Sequence, residues 1–253
     1  MKDDGLDIYF ERWARLGVAF GAIPSQDMPD PEALVIDTAR HAADAPRLFI
    51  MAATWLHEYG QLISKHRLKR LIRAKLAAEH APVLGLLLDI AQQGTHPPRF
   101  QSVIAGLAPE PSARPLFNVE SGNEQLRERA RRRSSEMGRR WNLWCEPFEF
   151  KTNAIRPARW VLANNAGLVA RADFRGDLRA SILAALRHDP GAGDSEMNLA
   201  RCAGGSRAQV RSSLENLELS GKVRRSRGDH ARKTRITLVD APEERPAAPE
   251  RPG

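Results

Sequence analysis

The sequence predicts a mainly α protein, an N-terminal helical domain followed by a C-terminal unit of three helices and a β-hairpin. Three observations carry that expectation. Apolar residues recur at helical spacing through most of residues 6–106. Pro31, Pro46 and Pro82 stand where successive helices should open. The period-two alternation of a half-buried strand is clearest in residues 222–227 and 234–239.

Residues 6–21 read as the first helix, with Ile8, Trp13, Leu16 and Phe20 near helical spacing. Residues 23–31 hold three prolines and form a loop. Pro31 and Glu32 open a second helix carrying Leu34, Val35, Thr38 and Ala42 along one side. Pro46 opens a third through Phe49, Ile50, Ala53, Trp55, Leu56 and Leu62. A basic amphipathic helix follows over 64–79. Leu68, Leu71, Ile72 and Leu76 form its apolar stripe, and Lys65, Arg67, Lys69, Arg70, Arg73 and Lys75 crowd the rest. Pro82 begins a further apolar helix over 83–93.

A proline-rich break at 108–115 ends this domain, which spans 1–107. Residues 108–174 read as a mixed, Arg- and Trp-rich connecting region packed on it. This region contains a basic helix over 124–140, an aromatic group (Trp141, Trp144, Phe148, Phe150, Trp160) and an extended stretch at 147–152. The C-terminal unit covers 175–239. The Pro/Glu/Arg tail, 240–253, is too polar to pack and is expected to be disordered.

Composition narrows the function classes. The chain has 253 residues, and 39 Lys+Arg against 31 Asp+Glu give a net charge of +8. The sequence pI is about 10.1, which points to a polyanionic partner if the charge is clustered. Hydrophobic residues make up 42% of the chain, enough for a real core. The longest apolar runs, 48–56 and 83–90, fall short of the roughly 20 residues a membrane span needs. The start, MKDDGLDIYF, lacks the basic and apolar character of a secretory signal. Two cysteines, Cys145 and Cys202, cannot make a disulfide framework. A cytoplasmic protein with no membrane association is expected.

Within the C-terminal unit, 177–188 is a helix burying Leu178, Ile182, Leu183 and Leu186, and Pro190, Gly191 and Gly193 end it. Ser195 caps a short second helix, and Gly204-Gly205 form a tight turn. Ser206 caps a third helix with Val210, Leu214 and Leu217 on its buried stripe, closed by Gly221. Two strands joined by a turn at 228–231 follow. This order, with the run SRAQVRSSLENLELSGKVRR…KTRITL, resembles the winged helix-turn-helix fold of many bacterial transcription regulators. The resemblance covers about a quarter of the chain. It implies a DNA-binding or protein-interaction fold.

The residues support double-stranded DNA as a partner independently. A helix fits the major groove and its first turns reach base edges. With Val210, Leu214 and Leu217 buried, Arg207, Gln209, Arg211 and Ser212 are left toward solvent. Arg bonds guanine and Gln bonds adenine through paired hydrogen bonds. Ser206 and the helix N-terminus suit a phosphate. The hairpin carries Lys222, Arg224, Arg225, Arg227, Arg232, Lys233 and Arg235 against Asp229, an excess of six positive charges. Such a wing can follow the backbone or enter the minor groove. The plainer alternative is a solvated hairpin whose charges protect its edges.

The helix over 124–140 offers a second nucleic-acid contact through Arg131, Arg132, Arg133, Arg139 and Arg140. Alternatively its arginines pair with Glu124, Glu128 and Glu136. The tryptophans suit base stacking or, more plainly, the core. His57, His66, His80 and His96 lack metal-ligand spacing, so neither metal nor cofactor is expected. Arg73 and His80 loosely fit the motif of HEPN-type ribonucleases, and Cys145 has no histidine base beside it. The reading is therefore a non-enzymatic, homodimeric transcriptional regulator acting as a repressor. The first alternative is an antitoxin or defence-system component that binds a partner protein from its own operon and autoregulates it. The second is a helical ribonuclease.

Overall fold

A computed structural model describes residues 4–174, 177–227 and 234–239. The turn at 228–231, Arg232, Lys233 and the tail 240–253 lie outside the described residues, as does the side chain of Arg227.

The N-terminal half is a packed set of helices: α1 (Asp4–Arg15), α2 (Pro31–His41), α3 (Pro46–Tyr59), α4 (Lys65–Lys75), α5 (Ala81–Ala91) and the short α6 (Gln101–Ile104). Proline stands in the first turn of α2, α3 and α5, where its missing N–H loses no helical bond. Asp30 caps α2, its carboxylate accepting from the amides of Glu32 and Ala33. α5 is buried along nearly its whole length and lies at the centre of the domain. The first helix stops at Arg15, short of the predicted Gly21. Residues 17–19 instead pair with 154–156 through Arg156 N–H to Gly17 C=O and Ala19 N–H to Ala154 C=O, both 2.8 Å.

The connecting region has two pieces of sheet, β1 (Arg114–Pro115) and β2 (Leu143–Trp144), paired in parallel. Its helices are α7 (Asn118–Ser121), α8 (Glu124–Arg133), α9 (Glu136–Arg140), α10 (Ala158–Asn164) and α11 (Ala166–Asp173). The single basic helix expected over 124–140 is thus two. The break falls at Ser134-Ser135, where Ser135 turns extended and its hydroxyl accepts from the Gly138 amide at 3.0 Å. Serine competes for the backbone in this way, and so favours helix starts over helix interiors. Residues 147–150 form no strand and lead into a 3₁₀ turn at Thr152–Ala154. Trp13, Trp55 and Trp141 are buried, whereas Trp144 and Trp160 are half-buried under Arg127 and Arg156. Trp13 and Trp55 meet edge to face in the core, and Trp141 is buried with its indole N–H on Asp89 at 3.1 Å.

The C-terminal unit comprises α12 (Leu178–His188), α13 (Glu196–Ala203), α14 (Arg207–Leu219) and an antiparallel hairpin, β3 (Val223–Arg227) with β4 (Thr234–Leu238). It has its own core of Ile182, Leu183, Leu199, Val210, Leu214, Leu217, Val223 and Ile236, separate from the larger one that runs from Trp13 to Leu168. α11 joins the two, since Leu168 belongs to the first core while Ala170 and Phe174 pack against the second. The loop between α12 and α13 runs against β4. A Cβ on Gly193 would sit 2.0 Å from the Ile236 carbonyl oxygen, so only glycine allows that approach.

Candidate nucleic-acid interface

The C-terminal unit sets its third helix by capping at both ends of a tight turn. Ser195 opens α13, its hydroxyl accepting from the Asn198 amide at 3.0 Å. Gly204 and Gly205 both take positive φ, +87° and +86°, and swing the chain into α14. Ser206 and Gln209 then form a reciprocal capping box. The Ser206 hydroxyl accepts from the Gln209 amide at 3.2 Å, and the Gln209 side-chain oxygen accepts from the Ser206 amide at 2.8 Å. Val210, Leu214 and Leu217 are fully buried beneath.

Ser206, Arg207, Gln209, Arg211 and Ser212 all lie at the surface. Their circumstances differ. Arg207 has no hydrogen-bonding or ionic partner among the described residues. Gln209 uses its amide oxygen on the cap. Arg211 reaches across to α13, pairing with Glu196 at 3.0 Å.

The hairpin register sorts its cations by face. Val223, Arg225, Ile236 and Leu238 share the inner face, while Arg224, Ser226, Arg235 and Thr237 share the exposed outer one. Arg224 and Arg235 have no ionic partner among the described residues. Arg225 turns inward to Glu218 of α14 and to Glu196 at 3.5 Å, tying strand to helices. The bond to Arg225 holds the Glu218 carboxyl below its usual range. Lys222 is half-buried over the Phe174 ring, 5.7 Å from its centroid, with Arg179 closer at 4.5 Å.

The other basic helices contrast. On α8, Glu128 takes Arg131 at 2.8 Å and Arg132 at 2.7 Å, and these bonds pull its carboxyl down to about 2. Glu146 takes Arg129 and, at 3.9 Å, Arg133. Arg140 reaches Asp89 at 3.2 Å, whereas Arg139 is exposed with no such partner among the described residues. On α4, Lys65, Lys69 and Arg73 have no carboxylate within 4.0 Å among the described residues.

α4 is also the helix that holds the C-terminal unit. Arg67 is buried and bonds Asp30 at 2.5 Å, Glu32 at 3.0 Å and Asp189 at 2.9 Å. Arg70 also bonds Asp189. Arg171 of α11 completes the cluster, bonding Glu32 at 3.0 Å and the Leu62 carbonyl at 2.9 Å. Burial opposes the Arg67 charge, but its bonds to Asp30 and Asp189 outweigh that and raise its affinity for the proton. Burial likewise opposes ionisation of Asp30, yet its hydrogen bonds to Arg67 and that guanidinium's charge hold its carboxyl below the usual range. His66, one turn back, fits against Gly204. Ring atoms of His66 lie 2.7 Å from where a Cβ on that glycine would be. Burial lowers the pKa of His66, as do the charges of Arg70, Lys69 and Arg73, against a hydrogen bond that the ring donates to the Arg201 backbone carbonyl. A cleft of about 760 Å³ opens beside this joint, lined by His57, Gln61, Ser64, His66, Asp177 and Ser181.

Composition and spacing read α4 like α8, as a basic helix open to nucleic acid or an acidic partner, with its apolar stripe packed in the core. Its place against the turn before α14 depends on contacts more than a hundred residues apart, which local patterning does not carry. No family model, curated protein or solved structure matches the chain. Among the described residues no group of three His, Cys, Asp or Glu could hold a metal, and no helix is long and apolar enough to cross a membrane. Arg73 is exposed near the end of α4, while His80 lies in a 3₁₀ turn with its Nε2 3.9 Å from Glu79 and its pKa lowered by burial. The Cys145 thiol is buried and pushed up to about 12 by that burial, well away from a nucleophile's range.

Proposed function

We propose that this protein is a sequence-specific double-stranded DNA-binding regulator of transcription, a cytoplasmic, homodimeric repressor without catalytic activity of its own. The observation that carries the proposal is the pairing of a capped helix with a basic hairpin. α14 offers an unengaged Arg207 in its first turn, and the hairpin turns Arg224 and Arg235 outward beside it. A helix N-terminus with an arginine is suited to base edges in the major groove, and outward cations on a hairpin are suited to phosphates. Repression follows by competition with polymerase for a promoter. A dimer matches a two-fold operator with half-sites about 34–36 Å apart.

The test is selection of duplexes from a random pool, followed by anisotropy titrations on the winners. An enriched sequence, bound more tightly than scrambled DNA, is expected. Arg207→Ala should weaken it by about 1–3 kcal/mol and relax preference at one base pair. Recovery of no preferred sequence and no duplex binding at low salt would overturn the proposal.

A second reading has its own observation. Leu219 on α14 is 89% exposed and Met197 on α13 is 64% exposed, so each leaves an apolar side chain open to a partner. That suits a partner protein from the same operon, as in an antitoxin or defence system. Co-purification of an operon neighbour, lost in Leu219→Lys, separates it from a stand-alone regulator.

A further inference from the structure

α4 has two working faces. One holds the C-terminal unit: His66 packs on the turn ahead of α14, Arg70 bonds Asp189, and Arg67 is buried between Asp30, Glu32 and Asp189. Lys65 and Lys69 each precede one of these contacts by one residue, and Arg73 continues the same spacing. At about 100° per residue they form a stripe beside the joint, facing its solvent edge. Steps of four residues at about 1.5 Å each make the stripe roughly 12 Å long. Lys65 and Arg73 are exposed and Lys69 is half-buried. None has a carboxylate partner among the described residues, unlike most arginines of α8. The stripe therefore borders the turn that leads into Arg207.

We infer that the Lys65, Lys69 and Arg73 stripe of the helical domain binds the phosphate backbone of the same duplex that α14 reads. The inference rests on the DNA-binding reading of the C-terminal unit. Two features of the surface select this occupant. The stripe is purely cationic, and it is continuous, through His66 and Gly204, with the start of the proposed reading helix. Three cations spaced along a helix suit phosphates and carry no base readout, so they would add affinity without adding sequence preference.

The experiment uses the full chain and short duplex DNA, with anisotropy titrations between about 50 and 200 mM salt. The variants are a triple Lys65→Gln, Lys69→Gln, Arg73→Gln and, as a positional control, Lys75→Gln, which lies on another side of α4. Circular dichroism first checks that each variant keeps the wild-type helix content and melting curve. If the stripe binds three phosphates, the slope of log K against log salt falls by about 2.7 in the triple variant. The loss then applies to all duplexes alike, with the ranking of sequences preserved, and Lys75→Gln leaves the slope unchanged. A folded triple variant with the wild-type slope overturns this inference and leaves the DNA-binding reading standing. An equal loss per charge in Lys75→Gln also overturns it, because bulk charge would then explain the effect. A wild-type chain that binds no duplex overturns both readings together.

Discussion

Helices α4 and α8 are both crowded with arginine and lysine, yet they present different charge to the surroundings. On α8, Glu128 alone takes up Arg131 and Arg132, and Glu146 takes up Arg129 and Arg133. On α4, the arginines that find carboxylates are the ones turned toward the C-terminal unit, and the outward cations are left with none among the described residues. A count of basic residues ranks the two helices together. What distinguishes them is where the acids are. Those near α8 sit at helical spacing or just past the adjoining strand β2, while those near α4 come from Asp30, Glu32 and Asp189, distant in the chain and beneath the helix. The field available to a polyanion depends on that arrangement.

The comparison can be broken most forcefully at Arg67. Arg67→Ala leaves Asp30, Glu32 and Asp189 short of a buried partner, and should lower stability by about 3–5 kcal/mol. Urea unfolding would show it, and a loss under about 1 kcal/mol would mean that water already serves these carboxylates. The same joint should be sensitive to acid. Because the folded Asp30 has its pKa lowered from 3.8, its contribution is complete above that value and is lost as pH falls through the lower, folded one. Melting temperature should therefore drop in acid, and the drop should shrink in Asp30→Asn. Next in size, Gly204→Ala meets both a φ of +87° and the His66 ring, and should destabilise by about 1–3 kcal/mol. Double substitution with His66→Ala should recover part of that loss, and no recovery would argue against the contact. The smallest effect is expected for Glu128→Gln. It frees Arg131 and Arg132, and if the proposed contact runs through α14, the hairpin and α4 alone, the salt dependence of duplex binding should not change. An increase in slope of about one or more would place α8 on DNA.

Much of this architecture was legible locally. Pro31, Pro46 and Pro82 marked helix starts, and the i, i+4, i+7 pattern at Val210, Leu214 and Leu217 oriented α14. The alternation at 223–227 and 234–238 marked the hairpin. Further local signals lie in the capping residues. Ser206 followed by Gln209 three residues later is the pattern of a capping box, so the Gln209 amide oxygen had a backbone use before any base. Ser135 marks the start of α9 by a simple cap, without the reciprocal partner that Gln209 supplies. Other features could not be read locally. Glu196 and Glu218 engage Arg211 and Arg225 across separate elements, and the seating of His66 on Gly204 spans more than a hundred residues. Such pairings depend on how finished elements pack together, and hydrophobic periodicity says which side of a helix is buried but not against what.

The buried Arg67 also has a consequence for the order in which the chain acquires its shape. During synthesis the N-terminal segment leaves the ribosome first, and domains generally fold as units in that order. Asp30, Glu32 and Arg67 all lie in that early segment, and Arg67 can bond the first two before Asp189 exists. The rest of the larger core, Trp141, Leu143, Val161 and Leu168, and Arg171, the other partner of Glu32, come much later in the chain. α12 and α13 follow them almost at once, so the joint at Arg67 closes only when nearly the whole chain has been made.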